Sequence, residues 1–389
     1  MKLKRRYYKT ESGKLYRDDS LKRMAKLPDN SIDAVVTDPP YGISFMNSKW
    51  DYDVPSVELW REVHRVLKPG GYLLSFAGTR TYHRMACGIE DAGFEIRDMC
   101  AWVYGSGFPK SLNIGKAVDE LRGNKRRVIG TNISGKTALW HEKADMGKHD
   151  ITKGNSEWEG WGTNLKPSME PIVIARKPLS EKTVVENVLK WKTGGINVDG
   201  CRVKFKNESD KRVGTKDSQK GASGNPFSSG NNDGSISTYK NNGRFPANLI
   251  HDGSDEVLEL FPNNAARFFY TAKASKSERN MGCDELEKRS NMRVNAPRQN
   301  EEAKYASKPK NFHPTVKPVS LMKYLIKLVS REDATILDPF IGSGTTAVAC
   351  ERLNRKWIGI EKEREYYNIA VKRIENIARR KKRMKLFFK

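Results

Sequence analysis

The chain has 389 residues, of which 37% are hydrophobic, and its 71 Lys and Arg against 47 Asp and Glu give a formal net charge of +24. A chain of this length is expected to form one large domain with an insert, or two domains. The excess of positive charge indicates a polyanionic partner, and no apolar run approaches the length of a membrane span. These properties argue against membrane, secreted and collagenous proteins.

The cysteines and the first residues indicate an intracellular protein. The five cysteines form no C-x-x-C pair, and an odd number fits no closed disulfide framework. The opening residues, MKLKRRYYKT, contain no apolar stretch of the kind found in secretory signals. We therefore expect a cytoplasmic protein with no metal site and with Cys87 and Cys100 in the core.

The N-terminal half alternates between strands and helices, as is typical of a parallel sheet covered by helices. The predicted elements are, in order, a strand, a helix and a buried strand within 14–42, a helix ended by Pro69-Gly70-Gly71, a strand at 72–76, a helix at 82–92 and a strand at 96–104. This alternation predicts an α/β fold.

The middle of the chain is less regular. From Gly105 to Pro167 the sequence is rich in Gly, Lys and Trp and predicts no clear element, whereas residues 170–175 predict one strand. Between Gly214 and Gly243, Gly, Ser and Asn predominate. That composition cannot bury enough apolar surface to fix one conformation, so we predict a mobile loop there.

A second alternating set of elements lies near the C-terminus. The sequence predicts, in order, a polar linker at 275–311, a helix at 319–330, a strand at 334–337, a helix at 345–353, a strand at 357–360 and a final helix. Too few residues follow to complete a sheet. Its other strands must therefore come from the N-terminal half, which places the two halves of the fold in permuted order.

The first motif joins a predicted strand to a predicted helix. The segment from Asp338 to Ala347 contains G-x-G-x-x-A, whose glycines permit a tight turn and let backbone N–H groups approach a ligand. Glu361 ends the next predicted strand, where an acid accepts hydrogen bonds from ribose hydroxyls. A plain tight turn is the alternative, but the strand–turn–helix–strand–acid context favours a nucleotide or nucleoside. The permuted position argues against an ordinary nicotinamide dehydrogenase.

The second motif is Asp38-Pro39-Pro40-Tyr41, at the C-terminal end of a buried strand, where ligands bind in open α/β sheets. The prolines remove two N–H donors and hold the backbone extended, so carbonyl oxygens are available as acceptors. Asp38 and the Pro39 carbonyl can each accept one hydrogen of an exocyclic amine, and Tyr41 can stack on the ring that carries it. A solvated turn after a strand is the alternative.

The two motifs resemble those of amino-group DNA methyltransferases. Asp38-Pro39-Pro40-Tyr41 is similar to their catalytic motif, and Asp338-Pro339-Phe340-Ile341-Gly342-Ser343-Gly344 to their S-adenosylmethionine motif. The order, with the catalytic motif first, resembles the beta class, and so does His313-Pro314-Thr315-Val316-Lys317-Pro318, a segment that closes over the methionine end of the cofactor. Longer segments around Gly105 and Trp161 resemble phage and prophage members.

The resemblance implies roles for individual residues and regions. It assigns catalysis to Asp38, Pro39, Pro40 and Tyr41, and cofactor binding to Asp19, Thr315, Lys317, Asp338, Phe340, Gly342, Ser343, Gly344, Thr345 and Glu361. Asp19 matches the acid that binds the adenine, with Asp18 where the family usually has Gly, and Lys317 is expected to meet the methionine carboxylate. The implied regions are a catalytic half (1–178), a target-recognition insert (179–310) with the mobile loop 214–243, a cofactor half (311–378) and a basic tail (379–389).

The implied reaction is transfer of a methyl group from S-adenosylmethionine to the N6 amine of adenine in duplex DNA, because Asp at the first motif position resembles adenine enzymes. The target base is expected to flip out of the duplex, since its amine cannot be reached within the stack. N4-cytosine methylation is the alternative. A non-catalytic DNA-binding protein and an RNA or protein-glutamine methyltransferase are further alternatives, although the net charge disfavours protein substrates.

Some residues carry weaker expectations. The last predicted helix ends in Arg379, Arg380, Lys381, Lys382 and Arg383, which we expect to contact DNA phosphates. Trp140, Trp158 and Trp161 are expected to pack a long loop, with base stacking as the alternative. His313 is expected to be a structural loop residue. A homodimer and a role in a restriction-modification system stay open.

Overall fold

The computed structural model describes residues 7–43, 49–107, 109, 111–133, 148–205, 243–272, 276–286 and 310–387. The predicted mobile loop lies outside this part except for Gly243, and Trp140 lies outside it as well. The strands are β1 (Tyr7–Lys9), β2 (Gly13–Tyr16), β3 (Ile32–Thr37), β4 (Leu67–Phe76), β5 (Glu95–Val103), β6 (Arg127–Ile133), β7 (Lys148–Lys153), β8 (Met169–Arg176), β9 (Leu249–His251), β10 (Tyr270–Thr271), β11 (Thr335–Asp338) and β12 (Lys356–Ile360).

Helices cover both faces of the main sheet. They are α1 (Ser20–Met24), α2 (Val57–Val66), α3 (Tyr82–Asp91), α4 (Ile114–Arg122), α5 (Val184–Trp191), α6 (Val198–Cys201), α7 (Asp255–Leu258), α8 (Lys276–Asn280), α9 (Val319–Val329), α10 (Thr345–Leu353) and α11 (Arg364–Phe387), with short 3₁₀ helices at Lys49–Asp51 and Pro262–Phe268. None of the helices in the described ranges is long and apolar enough to cross a bilayer.

The main sheet has ten strands in the order β1-β2-β12-β11-β3-β4-β8-β5-β9-β10. Strands β2, β12, β11, β3 and β4 are parallel neighbours, while β8 runs antiparallel to both β4 and β5. The two C-terminal strands β12 and β11 are neighbours and lie between the N-terminal strands β2 and β3. This topology confirms the α/β fold and shows how the permuted halves form one sheet.

The central strands are apolar on both faces because both faces are covered. In β3, Ala34 and Val36 belong to the core beneath α9, α10 and α11, whereas Val35 belongs to the core beneath α2 and α3. Residues Ala34, Val35 and Val36 are all fully buried. The apolar run before Asp38 therefore forms a central strand of the sheet. Because this strand ends at Thr37, Asp38 lies at its C-terminal end.

Strand β4 begins earlier than the sequence predicts. Pro69-Gly70-Gly71 lies inside β4 and does not form the turn that ends α2. The Pro69 carbonyl accepts hydrogen bonds from Asn187 Nδ2 (2.9 Å) and Thr193 Oγ1 (2.6 Å). The segment after β8 therefore satisfies this buried backbone carbonyl within the sheet.

The predicted insert 179–310 is not separate from the catalytic sheet. Its strand β9 pairs with β5 and its strand β10 pairs with β9, which extends the main sheet by two strands. Helix α5 lies against β4 through Asn187, which is fully buried. These elements complete the hydrogen bonding of β5, and the boundaries of the insert at 179 and 310 stay a prediction. A role in target recognition stays a prediction.

Two other regions refine the predicted boundaries. The predicted tail 379–389 continues α11 as far as Phe387, since its Lys and Arg side chains are compatible with a helix.

Between β5 and β8, α4 and the two-stranded sheet β6–β7 form what we term the arm (residues 105–168). Arg126 fastens the arm internally, donating to Asp119 and, at 2.8 Å, to Glu159.

Candidate active site

A large cleft opens at the C-terminal ends of the parallel strands. Its volume is about 2210 Å³, and its walls include Asp38 after β3, Asp338 at the end of β11 and Glu361 after β12. Pockets for one small ligand typically measure about 300–1,000 Å³. The cleft is therefore large enough for a cofactor and a nucleotide together.

Four side chains form a charged cluster at the Asp38 end of the cleft. Lys317 Nζ donates to Asp38 Oδ2 at 2.6 Å and lies 3.1 Å from Glu170 Oε2. The Tyr41 hydroxyl lies 2.6 Å from Asp38 Oδ1 and 3.0 Å from Glu170 Oε2. Two carboxylates thus share one ammonium group, which leaves the cluster with one net negative charge when all three are ionised.

Burial and charge act against each other in this cluster. Burial raises the pKa of Asp38, and the adjacent Lys317 ammonium opposes that rise. Burial by itself lowers the pKa of Lys317, but the charges of Asp38 and Glu170 outweigh burial and the net direction is upward. Burial, together with the two carboxylates, raises the pKa of Tyr41. Lys317 is therefore held as a cation and Tyr41 as a neutral hydroxyl.

The turn after Asp38 is fixed from below. The buried Asp51 accepts hydrogen bonds from the backbone N–H groups of Tyr41 (2.6 Å) and Gly42 (3.1 Å). Pro39 and Pro40 lack N–H groups, so the carboxylate meets the first donors that the turn offers. This arrangement places Pro39, Pro40 and the Tyr41 ring on the cleft wall beside Asp38.

Asp338 holds the start of the glycine-rich loop. It is 3% exposed. Its Oδ1 accepts from Thr37 Oγ1 at 2.7 Å and from the Phe340 N–H at 3.0 Å, and its Oδ2 accepts from Thr346 Oγ1 at 2.5 Å. Burial raises its pKa to about 6. Since both oxygens already have donors, Asp338 shapes the loop between β3, β11 and α10, and Phe340 continues along the cleft wall.

Glycine is required at two points of this loop. Gly342 has φ +52°, and a Cβ there would lie 2.5 Å from His313 Nε2. Gly344 has φ +82°, and a Cβ there would lie 3.0 Å from Ala370 Cβ. A side chain would therefore meet both a strained backbone and a steric clash.

Arg373 of α11 braces the same loop from behind. It is fully buried, and its Nη1 donates to the Ser343 carbonyl (2.8 Å), to Ser343 Oγ (2.9 Å) and to Thr345 Oγ1 (2.9 Å). Ser343 and Thr345 thus lie in the glycine-rich loop, as predicted for cofactor-binding residues. Their hydroxyl groups accept hydrogen bonds from Arg373 and so stabilise the loop. The sequence offers no signal for Arg373 beyond its place in the last helix.

Glu361 and Asp19 lie on the cleft wall at the far side of the loop. Glu361 is 8% exposed, accepts from the Glu363 N–H at 2.7 Å, and has its pKa raised to about 7 by burial. Asp19 caps α1, accepting from the Lys22 N–H at 3.3 Å, and lies 3.7 Å from Lys362 Nζ. Their positions at the ends of β12 and β2 bring the two predicted acids to one edge of the sheet.

The segment from His313 to Lys317 covers the loop. Burial lowers the pKa of His313 to about 3, so the ring is neutral, and it packs edge-on against Tyr366 with ring centroids 4.4 Å apart. Thr315 lies on the cleft wall. The structural role predicted for His313 fits this environment, whereas the observed partners of Lys317 are Asp38 and Glu170. A contact between Lys317 and a methionine carboxylate stays a prediction.

The predicted DNA-contacting residues lie away from the cleft. Arg379 pairs with Glu375 at 2.7 Å, and Lys381 lies 3.7 Å from Glu351 Oε2. Arg380 and Arg383 are exposed, and the Lys382 side chain is outside the described part.

Trp158 and Trp161 are partly exposed and contact each other edge-on in the arm. Cys100 is buried as predicted, whereas Cys87 is exposed on α3, a correction that follows from its outward position on that helix.

Sequence patterns alone do not identify Glu170 and Arg279 as site residues. Glu170 lies in the antiparallel strand β8, whose pairing with β4 brings it to Lys317 and Tyr41, the two partners of Asp38. Arg279 lies in α8, next to residues with no recognisable motif, yet it forms part of the cleft wall. No cluster of three His, Cys, Asp or Glu side chains suited to a metal occurs in the described part of the chain.

Comparison with known proteins gives a consistent family. A family model described as DNA methylase, covering N6 and N4 methyltransferases, matches residues 32–372. The type II methyltransferase M.HindIII of Haemophilus influenzae is 26% identical, covering 92% of this chain and 94% of its own length. The type II methyltransferase M.PvuII of Proteus hauseri is 23% identical, covering 92% of this chain and 82% of its own.

Among solved structures, the PvuII DNA methyltransferase (cytosine-N4-specific) is 16% identical, with a TM-score of 0.47 over 96% of this chain and 93% of that one. The resemblance to phage members stays a prediction. With a family match that spans both motifs and most of the chain, the protein belongs to the N6/N4 DNA methylase family.

Proposed function

We propose that this protein transfers a methyl group to the exocyclic N6 amine of adenine in duplex DNA, acting on a base flipped into the cleft. Methyl transfer to DNA, with S-adenosylmethionine as the cofactor, follows from membership of the DNA methylase family. The carrying observation is that Asp38 and the glycine-rich loop follow the neighbouring parallel strands β3 and β11 and open into one cleft.

The loop side of the cleft fits the cofactor. Gly342 allows the backbone to approach a ligand where any side chain would strike His313. The buried carboxyl of Glu361 lies at the strand end, where an acid accepts hydrogen bonds from ribose hydroxyls. Asp19 adds an acceptor suited to the amine of the adenine ring. When bound, the cofactor supplies a methyl group activated by its sulfonium.

On the other side, Asp38 and the Pro39 carbonyl are placed to accept the two hydrogens of the target amine. Accepting both favours sp3 character at nitrogen and aims its lone pair at the methyl carbon. Nitrogen gains a bond to carbon as the carbon–sulfur bond breaks and its electron pair returns to sulfur. The surplus proton then leaves the nitrogen, with Asp38 as the nearest acceptor.

The charge of the cluster suits this reaction. Positive charge develops on the amine nitrogen, and the ionised cluster of Asp38, Glu170 and Lys317 carries one net negative charge. Fixed charges in a buried site stabilise such a transition state more strongly than water does. Lys317 is accordingly a positioning residue: its ammonium opposes the rise that burial causes in the pKa of Asp38.

Base flipping is supported by the depth of the acceptor. The Asp38 side chain is 16% exposed and lies beneath Lys317 and Tyr41. A base that stays stacked in a duplex cannot bring its amine to such a site. Asp at the first motif position supports adenine, and N4 of cytosine is the second candidate because the family model spans both chemistries.

The test is expression in a host that lacks DNA methylation, followed by mass spectrometry of genomic nucleosides. We expect N6-methyladenine from the wild type and none from Asp38→Ala. N4-methylcytosine instead would make cytosine the target base. Methylated RNA or protein in place of DNA, measured with the same labelled cofactor, would contradict the proposed substrate.

A further inference from the structure

Lys317 is the cation that the family resemblance implies for the methionine carboxylate of the cofactor, but it has other partners in the structure. Lys317 lies 2.6 Å from Asp38 and 3.1 Å from Glu170, so its charge is already matched by two acids. His313 has its pKa lowered to about 3 by burial and carries no charge. Arg373 donates from its Nη1 to Ser343 and Thr345 behind the loop and, unlike Arg279, is not part of the cleft wall. Another cation must therefore meet an anion at this end of the cleft.

Arg279 is placed for that role. It belongs to α8, and its Nη2 donates to the His313 carbonyl at 2.9 Å, next to the ring that packs on Gly342. Asn311 fixes this geometry, donating from its side chain to the Arg279 carbonyl (2.8 Å) and accepting from the His313 N–H (3.1 Å). Arg279 is thus tied to the segment that covers the glycine-rich loop.

The guanidinium of Arg279 has unused donors. Its Nε is buried without a hydrogen-bond partner, and no carboxylate pairs with it within the described ranges. Burial is the cause of its lowered pKa. Arg279 is partly buried, and a cation with a buried donor and no counter-charge is costly, so such groups are normally paired. Since Arg279 forms part of the cleft wall, the missing counter-charge belongs to a ligand in the cleft.

We infer that Arg279 binds the methionine carboxylate of S-adenosylmethionine, while Lys317 serves Asp38. This inference rests on the proposed function in its use of that cofactor. A guanidinium presents planar paired donors that match a carboxylate, which a lysine ammonium does not. The two cations of this region consequently divide the work: Lys317 supports the reacting amine and Arg279 anchors the cofactor.

Calorimetry of two ligands tests the assignment. S-adenosylmethionine carries the carboxylate, and decarboxylated S-adenosylmethionine lacks it but is otherwise the same. We expect Arg279→Met to weaken binding of the first by roughly ten- to a hundred-fold, as for a hydrogen bond to a charged group, and to leave binding of the second within about twofold. Arg279→Lys keeps the charge without the fork and should fall between wild type and Arg279→Met.

Arg352→Met is the matched control. Arg352 lies 3.6 Å from Glu278 of the same α8 but is not part of the cleft wall, so its loss should change neither affinity. Equal weakening of both ligands by Arg279→Met would mean that Arg279 acts only through the His313 carbonyl, and unchanged affinities would also overturn the inference. A wild-type protein that binds neither ligand would instead refute the proposed function.

Discussion

The glycine-rich loop and the arm line the same cleft but are built in opposite ways. In the loop, Asp338, Ser343 and Thr346 are each 3% exposed, and Arg373 donates to Ser343 from behind. In the arm, Leu165 is 92% exposed and Trp161 is 59% exposed. Polar contacts of the arm, such as that of Arg126 with Glu159, stay within the arm.

The difference follows from what each region has to contact. A small cofactor of constant shape is best bound by a rigid, preorganised loop, because no ordering is then required on binding. A duplex must be approached from outside, so the groups that meet it have to be exposed. Exposed apolar side chains at the mouth of a cleft therefore point to a partner that covers them.

The largest effect is expected at the boundary between the two regions, in Lys317→Met. Removing the ammonium leaves Asp38 and Glu170 as unpaired buried acids, which should lower the free energy of unfolding by about 3–5 kcal/mol. Because Lys317 opposes the rise in the pKa of Asp38, the acidic limb of methyl transfer should move to higher pH. Urea unfolding and a pH–rate profile measure both effects.

The double variant Lys317→Met with Glu170→Gln is the control. It removes one acid together with the cation, so most of the lost stability should return. If Lys317→Met is as stable as the wild type with the same pH profile, the proposed charge balance of the cluster is incorrect.

Next in size is Glu361 on the rigid side. Glu361→Ala leaves ribose hydroxyls unpaired and should weaken S-adenosylhomocysteine binding by about 1.5–3 kcal/mol, or roughly ten- to a hundred-fold. Since burial raises the pKa of Glu361 to about 7 and the ionised form accepts hydrogen bonds better, wild-type affinity should rise from about pH 6 to about pH 8. Calorimetry across this range should give a flat profile for Glu361→Gln.

The same shift has an opposite sign for stability without ligand. The pKa of Glu361 is about 7 in the folded protein, whereas in the unfolded chain the carboxyl has its ordinary pKa of 4.5. The contribution of Glu361 to stability should therefore be lost as pH rises between these values.

Affinity that is independent of pH in the wild type would exclude a ribose contact through this carboxylate.

A smaller effect is expected in the arm, at Leu165. This side chain lies at the cleft mouth, where an apolar group can occupy the space that a flipped base leaves in the stack. Leu165→Ala should slow methylation of a paired duplex about tenfold, or roughly 1.4 kcal/mol. A duplex with the target adenine mispaired should be methylated at nearly the wild-type rate, because unpairing then costs less.

Leu121→Ala is the matched control for the arm. Leu121 is 89% exposed but is not part of the cleft wall. It should have no effect on either duplex. Equal losses on paired and mispaired DNA for Leu165→Ala would show that Leu165 does not assist flipping.

The smallest effect is expected at the end of α11. Truncation after Ala378 removes the exposed Arg380 and Arg383 but also residues whose charges are matched within the chain, such as Arg379. Affinity for all duplexes should fall, and the log–log salt dependence should flatten by about one unit for each lost phosphate contact. A salt titration measures this slope. The methylated sequence should not change, since phosphate contacts do not read bases.

An unchanged slope would mean that these residues are a solvated helix end. A changed target sequence would instead mean that they take part in base recognition.

The site residues that the sequence predicts correctly in position are those whose motif follows directly on a buried strand. Asp38 and Glu361 were expected at the C-terminal ends of buried strands, and β3 and β12 place them there. The glycines at 342 and 344 were expected in a tight turn, and both have positive φ. Such features depend on local patterns, which a single sequence contains.

What the sequence does not predict depends on contacts between distant segments. Glu170 joins the cluster around Asp38 through the pairing of β8 with β4, and Lys317 contacts both acids only once α9 has packed on the sheet. The joining of β9 to β5 is likewise a long-range pairing that no local pattern encodes. These contacts give Lys317 two acidic partners and join strand β9 of the insert to the main sheet.

The central claim is that one cleft holds the cofactor on one side and the reacting amine on the other. Asp38→Ala separates the two most directly, in paired measurements of cofactor affinity by calorimetry and of labelled methyl transfer to duplex DNA. We predict that transfer falls about a hundredfold or more, while affinity stays within about threefold, or roughly 0.7 kcal/mol. Transfer that remains within threefold of the wild type, or affinity that falls along with transfer, would contradict the account.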